Sequence, residues 1–241
     1  MQRSADGYNP CPPFVRETIA SQIVPAVRRG TLIDTCAGDG GAATDLARAW
    51  NLAPFFIELD PDRARQCARR GAGPVAVGSA EYAQLEGHPS VWYFNPPWDP
   101  ADPDGYLEHE LFRASSLYAL SQDTLAVMLF PARCLDMPEL WGDLTRRLDR
   151  LEVRAFPQPY FGTFGQLVLF GYGRSASAPA PQIRSADLRP LVPSELSYDV
   201  LEQAEPLRSV TMRGQRNAAS LARPLPSSAK RRMPNDRGRF P

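Results

Sequence analysis

The stretch "TLIDTCAGDGG", Thr31 to Gly41, reads as an apolar strand that breaks abruptly into a glycine loop. Thr31, Leu32 and Ile33 suit a buried strand, and Asp34 places a carboxylate at its end. Gly38 and Gly40 permit a tight turn and a close backbone approach to a ligand. Helical spacing resumes from Ala42 to Trp50. A strand, a glycine loop and a helix in this order open an α/β sheet whose ligands sit beyond the carboxyl ends of the strands.

The same alternation extends outward. "APFFIEL" reads as a strand, "PDRARQCARRG" as a helix and "GPVAVG" as a short strand. Next come a strand at "SVWYF", a helix at "YLEHELFRASSLYAL", a strand at "TLAVMLFP" and a helix at "PELWGDLTRRL". "LEVRAFP" and "QLVLFGYG" then follow each other too closely for an intervening helix, which predicts an antiparallel hairpin. Upstream, "PPFVRETIASQIVPAVRRG" reads as a helix entered through proline. The expected fold is α/β: a Rossmann-like, seven-stranded, mostly parallel sheet with a terminal antiparallel hairpin and helices on both faces. One domain spans residues 1–173. A Pro- and Arg-rich extension covers 174–241, with a helical stretch at Ser194 to Ala204 and a disordered end from Leu221.

Composition narrows the function classes. An apolar content of 43% is that of a soluble globular chain. No apolar run approaches the roughly 20 residues that span a bilayer, and the N-terminus has no apolar signal core, so a cytoplasmic location is expected. Cys11, Cys36, Cys67 and Cys134 are widely spread, and His88 and His109 are the only histidines. That distribution argues against a structural zinc site or a histidine triad, and no metal is expected; the cysteines read as small buried apolar residues. The net charge is zero, but twelve Lys and Arg stand against six Asp and Glu from Arg174 onward.

A second stretch, "FNPPWD", carries the chemistry. Two prolines fix their own φ and offer no backbone N–H, so the chain leaves its strand as a stiff arm presenting Asn95 and Trp98. Trp92, Tyr93 and Phe94 before it read as core, and Asp60 as the cap of the helix starting at Pro61. Glu58 ends the second strand twenty positions after Gly38, where a carboxylate can accept from two ribose hydroxyls. Gly38, Gly40 and Ala43 also match the G-x-G-x-x-A dinucleotide fingerprint, which makes an NAD-binding domain a competitor. That reading gives Asn-Pro-Pro-Trp no task.

In order and spacing, "NPCPPFVRETIA", "LIDTCAGDGG", "FFIELDP" and "FNPPWD" resemble the blocks of S-adenosylmethionine-dependent methyltransferases that modify exocyclic amino groups, particularly adenine-N6 enzymes of restriction-modification type. The resemblance covers roughly Gly7 to Gly173. It implies S-adenosylmethionine as cofactor. Cys11 takes the place of a threonine that contacts the methionine end, and Asp34, Ala37, Gly38 and Gly40 match the loop around the methionyl moiety. Glu58 matches the ribose acid and Leu59 the apolar residue against adenine, while Ser79 stands where the family usually carries an adenine-binding aspartate. Asn95 and Pro96 are implied as acceptors for the amino hydrogens, with Pro97 stiffening the arm and Trp98 stacking on the planar acceptor. Tyr160, Phe161 and Phe164, in "PYFGTFGQ", fall where related enzymes place an aromatic against a flipped base. The implied partner is nucleic acid, DNA first, with a separate specificity subunit to supply sequence recognition; RNA adenine, a protein glutamine amide and an inactive cofactor-binding subunit are the alternatives.

Overall fold

The computed structural model describes residues 9–26, 28–98, 106–174, 189–193 and 197–213. Its centre is a seven-stranded sheet made of β2 (Gly30–Asp34), β3 (Leu52–Glu58), β4 (Val75–Val77), β6 (Val91–Phe94), β7 (Leu125–Pro131), β8 (Leu148–Ala155) and β9 (Gln166–Gly173). The spatial order is β4-β3-β2-β6-β7-β9-β8. The first five of these are parallel, and β9 runs antiparallel to both β7 and β8. All seven strands read from the sequence are present, and the β8–β9 hairpin closes the sheet as expected.

Alternation along the strands builds two cores. Leu32, Tyr93, Val127 and Leu129 join one apolar cluster, while Ile33, Trp92, Phe94, Met128 and Phe130 join the other. Successive side chains leave a strand on opposite faces, so each strand feeds both layers. Helices α1 (Pro13–Ala20) and α2 (Gly41–Ala49) cover the first face; α4 (Tyr106–Ala119) and α5 (Pro138–Arg147) cover the second. Helix α3 (Pro61–Arg69) links β3 to β4 and is capped by Asp60, whose Oδ1 accepts from Arg63 N at 2.8 Å. Strand β6 is buried throughout, as a central strand must be.

Three expectations are corrected. The helix read from Pro12 to Gly30 stops at Ala20, because Pro25 cannot continue it and Gln22 turns its amide to Thr18 O and Val192 O. Ile23–Val24 forms instead a short strand, β1. The stretch between β8 and β9 holds a five-residue helix, α6 (Tyr160–Phe164). Of the helix expected at Ser194 to Ala204, residues 194–196 lie outside the described residues, and the rest holds a strand, β10 (Tyr198–Asp199), parallel to β1. Tertiary packing decides that outcome, since the Tyr198 ring is buried and stacked on Phe170 at 5.2 Å.

The chain beyond residue 205 makes a second pairing. Strand β11 (Ser209–Met212) pairs antiparallel with β5 (Ala83–Glu86). Gly87, at φ +89°, makes this docking possible, because a Cβ there would lie 2.2 Å from Pro206 O. The disordered end expected from Leu221 lies outside the described residues. Among the described residues no helix is long and apolar enough to cross a membrane, and no group of three or more His, Cys, Asp or Glu is placed to hold a metal ion.

Candidate active site

The chain runs outward from β2 to β3 and β4, then returns to β6 on the other side of β2. The crevice beyond the carboxyl ends of β2 and β6 is therefore the switch point of the sheet. Two cavities open there. One, of about 200 Å³, is lined by Thr35, Glu58, Leu59, Ser79, Asn95 and Pro96 among others. The second, of about 350 Å³, is lined by Cys11, Arg16, Asp34, Ala37, Tyr93 and Asn95 among others. Cys36 and Asn95 line both.

Asn95 is the first residue after β6. Its Nδ2 donates to Asn9 O at 3.0 Å, which fixes the orientation of the carboxamide and leaves Oδ1 as its acceptor. That Oδ1 is buried and has no hydrogen-bond partner among the described residues. An unsatisfied buried polar atom costs roughly 1–3 kcal/mol, and this one belongs to a residue that lines both cavities, where a ligand donor can relieve it. The adjoining strand is pinned from below, where Trp92 Nε1 donates to Thr35 Oγ1 at 3.0 Å.

The glycine loop closes on Glu58. Gly40 holds φ +75°, and a Cβ there would sit 2.4 Å from Cys67 Sγ, so only glycine can begin α2 this way. Gly38, also in the left-handed region at φ 57°, donates its N–H to Glu58 Oε2 at 2.6 Å. Glu58 Oε1 accepts from Asp60 N at 2.8 Å and from Arg63 Nε at 3.1 Å. Three of the roughly four acceptor positions of this carboxylate are thus engaged within the protein. Leu59 beside it is 66% exposed at the cavity rim. Ser79 caps a short turn, accepting from Glu81 N and donating to Glu81 Oε2.

Asp34 is held less firmly. Its Oδ1 accepts from Cys36 N at 3.0 Å, and burial raises its pKa to about 8, with the Glu58 and Asp39 charges adding to the shift. Burial likewise pushes the Cys11 thiol up to about 12. The Tyr93 hydroxyl lies beside that thiol, and burial raises its pKa as well.

The sequence-derived residues thus divide. Cys11, Asp34, Ala37, Glu58, Leu59, Ser79, Asn95, Pro96 and Pro97 line the two cavities, and Gly38 and Gly40 shape the loop beside them. Trp98 is 5% exposed and lines neither cavity; the Arg133 guanidinium lies 5.7 Å over its ring. Tyr160 stacks on Phe14 at 6.0 Å, Phe161 packs against the core, and Phe164 ends α6. Sequence reasoning passed over Asn9, Arg16 and Arg63. Asn9 could have been found from its place beside Cys-Pro-Pro, and Arg63 from its five-residue spacing after Glu58.

No protein-family model matches the chain, and no curated protein matches it. Solved structures do. A predicted O-methyltransferase from Agrobacterium tumefaciens is similar over 76% of this chain and 98% of its own, with a TM-score of 0.51 at 14% identity. The type I restriction-modification methyltransferase subunit from Streptococcus thermophilus is similar over 70% of this chain, with a TM-score of 0.53 at 11% identity. This chain spans 45% of that subunit's length. What is shared at such identities is the fold alone, a Rossmann-like α/β fold that both of these methyltransferases also have.

Proposed function

We propose that the protein binds S-adenosylmethionine in the two joined cavities and methylates an exocyclic amino nitrogen of a planar acceptor, adenine-N6 in DNA first. The observation that carries this reading is the buried Oδ1 of Asn95, oriented by Asn9, without a partner among the described residues, on a residue that lines both cavities. The cavities fit the cofactor's chemistry. One sets Leu59 and the Glu58 carboxylate at its wall, suited to a nucleoside; the other sets Asp34 and Arg16, suited to an amino acid. Together they fall in the range of roughly 300–1,000 Å³ common for small-molecule sites.

When bound, S-adenosylmethionine supplies an electrophilic methyl group on a sulfonium. The protein must then make an unreactive amine nucleophilic, because a ring-attached amino group delocalises its lone pair. Asn95 Oδ1 and the Pro96 carbonyl accept the two amino hydrogens and favour a pyramidal nitrogen. Pro96 and Pro97 have no N–H to compete for those acceptors, and the Asn9 bond holds the carboxamide in place before the acceptor arrives. The released proton passes to water.

A second reading, a protein glutamine amide as acceptor, is favoured by one observation. Trp98 is buried under Arg133 and gives the cavities no stacking surface for a base. The test is incubation with methyl-labelled S-adenosylmethionine and, separately, unmethylated duplex DNA, RNA and a protein extract, followed by digestion to the modified unit. N6-methyladenine from DNA is the expected product. Labelled methylglutamine would replace the substrate and keep the mechanism, and no label in any polymer would overturn the proposal.

A further inference from the structure

The larger cavity is walled by acids, Asp34, Asp39 and Asp45, and by two arginines that are bonded very differently. Arg70 is closed: its Nε donates to Asp39 O at 2.6 Å and its Nη2 pairs with Asp39 Oδ2. Among the described residues Arg16, on α1, makes a single ion pair, Nη1 to Asp45 Oδ2 at 2.6 Å, and its buried Nε has no partner. The guanidinium side chain is 19% exposed, whereas that of Asp45 is 51% exposed. The Arg16 charge is also felt by the Cys11 thiol and the Tyr93 hydroxyl at the cavity wall. Across this cavity stands Asp34, with its one hydrogen bond to Cys36 N.

A guanidinium is a planar fork that binds a carboxylate through two parallel N–H bonds. Arg16 has used one arm on a half-exposed partner and kept an unsatisfied donor on the buried side. An ion pair with so exposed a partner contributes little, so exchanging it for a better-placed carboxylate is easy.

We propose that Arg16 is the carboxylate anchor of this site. Asp45 is its counter-ion in the empty protein and yields the guanidinium to the α-carboxylate of the ligand, while Asp34 takes the α-ammonium. This rests on the cofactor reading above and adds to it a residue that makes the cavity selective for an amino acid end. Neither partner changes covalently, and the exchange conserves charge because one carboxylate replaces another.

The test is calorimetric titration of the full chain with S-adenosylmethionine and with decarboxylated S-adenosylmethionine, which keeps the amine and lacks the carboxylate. The wild-type protein should prefer the former by roughly ten- to a hundredfold, the range expected for a hydrogen-bonded charge contact. Arg16→Gln should erase that preference by weakening only the carboxylated compound, and Arg16→Lys should restore part of it. Asp45→Asn should tighten S-adenosylmethionine severalfold and leave the decarboxylated compound unchanged, an arm that still decides the matter if Arg16→Gln fails to fold. Equal wild-type affinities, an equal loss of both compounds in Arg16→Gln, or weaker S-adenosylmethionine binding by Asp45→Asn would each overturn the anchor role while leaving the cofactor reading intact. Failure of the wild-type protein to bind either compound would overturn the cofactor reading as well.

Discussion

Glu58 and Asp34 end neighbouring parallel strands, yet the fold treats these two carboxylates in opposite ways. Glu58 is gripped by Gly38 N, Asp60 N and Arg63, so its position is set before any ligand arrives. Asp34 is buried with one hydrogen bond, and its pKa is raised to about 8. One wall of the crevice is therefore preorganised, and the other stays uncommitted until a cation compensates it. Binding on the first wall costs little reorganisation; binding on the second is coupled to protonation.

Breaking the junction between the two walls should give the largest effect. Asn95→Ala is expected to lower methyl transfer by at least about a hundredfold while leaving S-adenosylhomocysteine binding nearly unchanged, as for loss of a preorganised polar contact. Near-normal single-turnover rates would remove Asn95 from the mechanism.

Glu58→Ala attacks the rigid wall. It strands the Gly38 and Asp60 N–H groups, each at roughly 1–3 kcal/mol, so both the thermal midpoint and the affinity for S-adenosylhomocysteine should fall, the latter by tenfold or more. Unchanged affinity would show that the nucleoside lies elsewhere.

On the labile wall the effect should depend on pH. In the empty protein Asp34 holds a proton that the unfolded chain has already released, between its ordinary value of 3.8 and about 8. The native state binds more protons in that window, so the Asp34 contribution to stability declines as pH rises through it and levels off above about 8. Asp34→Asn should remove this decline and stabilise the empty protein at pH 8. A ligand ammonium requires the ionised carboxylate, so S-adenosylhomocysteine affinity should fall by up to about tenfold per unit below pH 8, a slope the Asn variant lacks. A pH-independent affinity in both proteins would separate Asp34 from the ligand's amine.

The smallest effect expected is that of Asp60→Ala. Loss of the α3 cap should cost about 1 kcal/mol and move the thermal midpoint by a few degrees, with a slight loss of affinity through Arg63. A drop in affinity as large as that of Glu58→Ala would mean that the Glu58 cage, and not the carboxylate alone, makes the site.

The parallel strands were legible because each is a short apolar run bounded by glycine, proline or an acid. Glu58 and Asn95 were legible because they close such runs at the carboxyl edge. The short strands β1, β5, β10 and β11 were not, since they are two to four residues long and exist through partners 123 or more residues away in the chain. For the same reason Tyr198 looked helical locally, and its burial against Phe170 decides otherwise. The orientation of Trp98 was also hidden. The Asn-Pro-Pro-Trp spacing says that the ring follows the arm, whereas Arg133, thirty-five positions later, determines what covers it.

A crystal structure with S-adenosylhomocysteine decides whether the two cavities are one ligand site divided by Asn95. The expected result is the nucleoside against Leu59 and Glu58, the amino acid end between Asp34 and Arg16, and Asn95 Oδ1 open toward the space beside the ligand sulfur. A ligand bound outside this crevice, or one whose amino acid end lies against Glu58, would contradict it.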